Sequence, residues 1–132
     1  MSGMLKKEDE SEKNVTLEDQ QKINQFSRLL NEKLELQAFL SVRKDLHQLY
    51  DDASDELMLA ADNEKVQFAV GDAFIFTAKD EAEETVEQCK TEIVRTMEDS
   101  QKKYDNKVES MTQLKTELYA KFGNSINLEE EA

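Results

Sequence analysis

The chain has 132 residues, 30 acidic and 17 basic, for a formal charge of −13 at neutral pH. With no Pro, no Trp and three Gly, a loop-rich sandwich or barrel, which needs a turn roughly every ten residues, is excluded, and long uninterrupted helices are favoured. The acidity argues against nucleic-acid binding and against docking to an acidic membrane surface, since both need clustered Lys and Arg.

Residues 1–15 are polar and charged, with Leu5 the one large aliphatic residue before Val15, so a disordered N-terminal arm is expected. That arm has no apolar core of a secretion signal. Purely apolar runs such as Ala73–Phe76 are far too short to span a bilayer. A single cysteine, Cys89, has no partner for an internal disulfide, and a soluble protein of a reducing compartment is expected.

A helix is expected to open at Thr16, with Asp19 three residues on as a variant of the capping box. Apolar residues then recur at helical spacing to about Ala61. Leu29, Leu36, Tyr50 and Leu57 share one heptad position; Phe39, Leu46, Ala53 and Ala60 share another. Arg43 interrupts the first series and Glu32 the second. The pattern predicts one long helix with a coiled-coil seam.

Over 65–77 the period changes to two. Val66, Phe68 and Val70 alternate, Gly71-Asp72 interrupts, and Ala73, Phe74, Ile75 and Phe76 follow. Gly-Asp between two β-prone runs predicts a two-residue hairpin turn. Such a hairpin would be apolar on both faces, and an isolated two-stranded hairpin is marginal in water. It therefore requires strands from other chains. Val66, Phe68, Val70, Gly71, Phe74, Ile75 and Phe76 are the candidate assembly residues.

A second helix is expected from Thr77 to Phe122, with Gly123 as its C′ cap. Its apolar residues drift with an eleven-residue period: Val86, Met97, Val108 and Tyr119 in one set, Cys89, Ser100, Met111 and Phe122 in another. Residues 123–132 read as a short mixed segment and an acidic tail. The expected fold is thus mainly α: a long antiparallel coiled-coil hairpin of two helices over 16–122, joined by a β-hairpin at 65–77. Symmetry about Gly71-Asp72 would set Leu57 against Val86, Tyr50 against Ile93, Leu46 against Met97 and Leu29 against Leu114. Arg43 would fall opposite Ser100, so both seams break in one layer.

No catalytic, cofactor or metal constellation is present, and no enzyme is expected. His47 lies on a helix flank, Cys89 has no helical His at ligand spacing, and 51–56 lacks the Gly and acidic spacing of a calcium loop. A second apolar concentration forms where both termini meet: Leu17, Ile23, Phe26, Leu29 and Leu30 with Leu118, Tyr119, Phe122, Ile126 and Leu128. A helix pair ending without a cap is expected to fray there and to leave apolar groups partly exposed. Leu17, Ile23, Phe26, Leu118, Tyr119, Phe122, Ile126 and Leu128 are the candidate residues for adaptable binding of non-native chains.

The stretches 16–24 (TLEDQQKIN), 70–75 (VGDAFI) and 118–129 (LYAKFGNSINLE) resemble motifs of the beta-type prefoldin subunits. The likeness extends over 15–129 and departs at 62–65 (DNEK), where a more apolar, Pro-containing approach to the hairpin is expected. The resemblance implies a hetero-hexamer of two alpha-type and four beta-type subunits that pool their hairpins into a β-barrel. It implies an ATP-independent holdase whose coiled-coil tips bind unfolded actin and tubulin and deliver them to the cytosolic chaperonin. The implied location is cytoplasmic, with a nuclear pool left open, and no cofactor is implied. The competing class is a structural or tethering coiled coil without client binding.

Overall fold

The computed structural model describes residues 15–62, 64–70 and 73–128. The expected arm up to residue 14, the Gly71-Asp72 turn and the four last tail residues lie outside the described residues. In chain order the elements are helix α1 (Leu17–Met58), strands β1 (Lys65–Val70) and β2 (Ala73–Ala78), helix α2 (Lys79–Phe122) and a 3-10 turn, Gly123–Ser125.

Helix α1 starts at a reciprocal cap. The Asp19 N–H donates to Thr16 Oγ1 at 3.1 Å, and the Thr16 N–H donates to Asp19 Oδ2 at 3.0 Å. Two of the four amides that a helix start leaves without partners are satisfied in this way. The helix ends at Met58, three residues short of Ala61. Its last turn tightens as the amides of Leu59 and Ala60 bond back to the carbonyls of Glu56 and Leu57 at 3.1 and 3.2 Å, the i→i+3 pattern of a fraying end. Lys79 then ties the connection down: its Nζ donates to the Ala60 carbonyl at 2.9 Å and lies 3.4 Å from Asp62 and 3.7 Å from Glu83.

β1 and β2 pair antiparallel from Lys65↔Ala78 to Val70↔Ala73, symmetric about the turn. Because Thr77 and Ala78 take ladder positions opposite Val66 and Lys65, α2 begins at Lys79 rather than at Thr77.

The chain divides into two compact units, Ala38–Gln101 and the rest, which holds residues up to Gln37 and from Lys102 on. In the first, Ala82, Val86 and Ile93 of α2 are buried, and Leu46, Tyr50, Leu57 and Met97 are half-buried. Leu57 and Val86 line one recess with Ala53 and Val66. Asp51 pairs with Lys90 at 2.8 Å, and Ser54 Oγ donates to Glu87 at 3.3 Å. These partners sit two residues nearer the hairpin than mirror symmetry about the turn would place them. The cause is the connection: residues 59–64 separate α1 from β1, whereas α2 follows β2 directly. Arg43 and Ser100, the expected seam break, are both half-buried, and the Arg43 guanidinium lies 4.9 Å from the centre of the Phe39 ring.

In the other unit one cluster joins Ile23, Phe26 and Leu29 of α1 with Met111, Leu114, Leu118 and Phe122 of α2. Its rim is ionic. Lys22 meets Glu117 at 3.2 Å, and Glu32, which breaks the apolar series, meets Lys107 at 2.7 Å. Gly123 takes φ +57°, the left-handed C′ position that glycine fills without strain. In the segment that follows, Ile126 and Leu128, expected within the apolar concentration at this end, join the same buried cluster.

Candidate functional site

Two surfaces carry the sequence-designated residues. The first is the hairpin. Among the described residues it forms a two-stranded sheet, so each strand keeps one edge whose backbone groups meet no further strand. Val66 is half-buried near the base, while Phe76 stands 71% exposed. The register places Phe68 across from Ile75, Phe74 across from Ala69 and Val70 across from Ala73; Gly71 lies outside the described residues. Beside the hairpin, Met58 and Leu59 are also exposed. Exposed apolar side chains next to open strand edges are what an assembly surface requires.

The second surface is the end formed by the start of α1 and the end of α2. Leu17 is 77% exposed, whereas Ile23, Phe26 and Leu118 are each 1% exposed, and Phe122, Ile126 and Leu128 are buried with them. Tyr119 packs against this cluster, partly buried. While Leu17 stays exposed and Leu30 and Tyr119 are partly buried, most of the apolar residues expected at this end are thus packed away. The physical reason is the 3-10 turn after α2, which folds the chain back so that Ile126 and Leu128 cover the helix end. Ser125 Oγ–H, buried, donates to the Phe122 carbonyl, and the Leu128 N–H donates to Tyr119 Oη at 3.0 Å.

A sequence model of the family described as prefoldin subunit matches residues 20–125. The chain belongs to the prefoldin subunit family. It is 36% identical to human prefoldin subunit 4 over 130 residues, covering 98% of this chain and 97% of the relative. It is 40% identical to prefoldin subunit 4 of Saccharomyces cerevisiae over 118 residues, covering 87% and 89%. Among solved structures, the prefoldin beta subunit from Thermococcus strain KS-1 superposes with a TM-score of 0.76 at 14% identity, over 84% of this chain and 97% of that one. This last likeness concerns the fold alone. As a prefoldin the chain is a chaperone-complex subunit that assembles with other prefoldin subunits. No helix among the described residues is long and apolar enough to cross a membrane.

In this prefoldin chain, reading the sequence missed one feature of the end surface: the link between the first turn of α1 and the last turn of α2. Asp19 is buried, and Lys121, 102 residues away, donates to its Oδ2. That hydrogen bond first, and those from Thr16 after it, hold the Asp19 carboxyl down from its usual 3.8 to about 2, against the opposing effect of burial. No local signal marks the pair, since an acid in a first turn and a Lys in a last turn are ordinary helix-dipole residues. Because the folded-state pKa lies below the unfolded one, the pair stabilises fully above about pH 4 and loses that stabilisation as pH falls toward 2. Asp19→Asn is expected to cost about 1–3 kcal/mol at pH 7. In urea titrations of variant and wild type, the difference should close between pH 4 and 2; a pH-independent difference would exclude the charged pair as its source.

Proposed function

We propose that the chain is a beta-type subunit of a hetero-hexameric, ATP-independent holdase that binds unfolded actin- or tubulin-like chains and passes them to the cytosolic chaperonin. The near full-length likeness to prefoldin subunit 4 of two distant organisms carries the reading. The hairpin supports it from the physical side: its open edges and the exposed Phe76 gain partners once alpha- and beta-type hairpins pool into a barrel. No catalytic step is proposed.

In this reading Val66, Phe68, Val70, Gly71, Phe74, Ile75 and Phe76 serve assembly. The end cluster serves the client through Leu17, Ile23, Phe26, Leu118, Tyr119 and Phe122, with Ile126 and Leu128 in the same surface. Apolar side chains rimmed by charge suit adaptable contact with non-native chains, each contributing roughly 1.5–3 kcal/mol when fully buried. Co-expression with candidate alpha- and beta-type subunits, followed by native mass spectrometry, is expected to give a hexamer. That hexamer should suppress aggregation of denatured actin without nucleotide and release it to chaperonin. A hexamer that forms but protects nothing would favour the tethering role.

A further inference from the structure

The end cluster is closed by the chain's own C-terminal segment, and the manner of closure points to what the surface binds. Residue 126 has extended backbone, φ −124° and ψ 144°. Ile126 and Leu128 are 3% and 2% exposed, while Asn127 between them faces solvent. That is the alternation of an extended strand laid on a surface. The receiving wall consists of Ile23, Phe26, Leu118 and Phe122, and Tyr119 Oη accepts the backbone N–H of Leu128 at 3.0 Å. The segment thus uses two apolar side chains, two residues apart, and a backbone hydrogen bond that any sequence can offer.

We infer that residues 126–128 are a latch that occupies the client groove in cis, and that the groove takes extended apolar-x-apolar segments of unfolded chains in trans. The inference rests on the client-binding reading above and assigns Ile126 and Leu128 the role of resident competitor rather than of client contact. Unfolded chains present such segments, and folded proteins bury them. A tethered competitor acts at an effective concentration on the order of millimolar. A lone short peptide therefore competes poorly, whereas a long unfolded chain that engages several subunits at once opens several latches. The latch thereby selects for multivalent, extensively unfolded clients and keeps the acidic subunit from exposing an apolar patch when no client is bound.

The test uses the full-length chain in its co-expressed complex. The probe is a labelled peptide NSINLE, the chain's own 124–129 stretch, with NSSNSE as control. Two variants open the latch to different degrees and leave the receiving wall unchanged: Ile126→Ser with Leu128→Ser together, and Leu128→Ser alone. Apparent affinity scales with the open fraction of the groove. The double variant should therefore bind NSINLE at least about tenfold more tightly than wild type, and Leu128→Ser alone more tightly by a smaller factor, with no gain for the control. Hydrogen exchange supplies an independent arm: denatured actin added to the wild-type complex should deprotect the Leu128 amide. If the double variant fails to assemble, Leu128→Ser alone and the exchange arm decide. Unchanged peptide affinity, or a Leu128 amide that stays protected while client is captured, would overturn the latch and leave the holdase reading intact. A wild-type complex that captures no client would overturn both.

Discussion

At least one of the substitutions Ile75→Asp and Phe74→Asp is expected to abolish assembly with other prefoldin subunits while leaving helix content near wild type. The two residues are neighbours in β2, across from Phe68 and Ala69 respectively, and successive strand positions belong to opposite faces. Whichever face meets the partner strands, one of the two substitutions places a carboxylate in it. An unpaired charge in a dry sheet interior costs several kcal/mol, on the order of what a polar group loses without a hydrogen-bond partner or more. Helix content should survive because α1 and α2 draw on other contacts, the buried Val86 and Ile93 and the Asp51–Lys90 pair among them. Native mass spectrometry and circular dichroism read the two quantities separately. A hexamer of unchanged mass with both variants would remove the hairpin from the assembly surface.

Phe26→Ala has the largest expected effect on stability. Phe26 is 1% exposed and is among the largest fully buried side chains of the chain. It packs in one cluster with Ile23, Leu118, Phe122, Ile126 and Leu128. Truncating a buried Phe costs about 3–5 kcal/mol, the transfer of the lost ring plus the cavity left behind. The loss should be local. Amides of 17–37 and 102–128 should exchange faster by the corresponding factor, while those of 38–101, which form a separate compact unit, should keep their protection. Client capture should fall too, since the wall of the groove is lost, in contrast to the gain expected when only Ile126 and Leu128 are changed. Wild-type exchange throughout would mean that the cluster adds little to the stability of this end.

The residue pattern alone specified a good deal. Absence of Pro and a sustained apolar series fixed two long helices, because periodicity reports which face of a helix is buried. A period-two stretch broken by Gly-Asp marked the hairpin, while its exact register, Lys65↔Ala78 to Val70↔Ala73, came from the structure. The Thr16–Asp19 cap and the Gly123 helix end were legible for the same reason: each is a local device whose partners lie within a few residues. So was the pull toward other chains, because the hairpin had more apolar surface than two strands can bury.

Three further features were decided only in tertiary structure. Periodicity says which face is buried but not how far one helix slides along the other; the shift seen at Asp51–Lys90 and Ser54–Glu87 follows from the six-residue connection on one side of the hairpin only. The Asp19–Lys121 pair joins residues 102 positions apart, and each is an unremarkable charge until the helix ends meet. The last is the fate of 123–128. In sequence, Ile126 and Leu128 are two apolar residues before a run of Glu, equally suited to a loose tail or a cap. Folding back becomes favourable once Ile23, Phe26, Leu118 and Phe122 stand together at one helix end, because only an assembled apolar surface repays the entropy of ordering the segment that covers it.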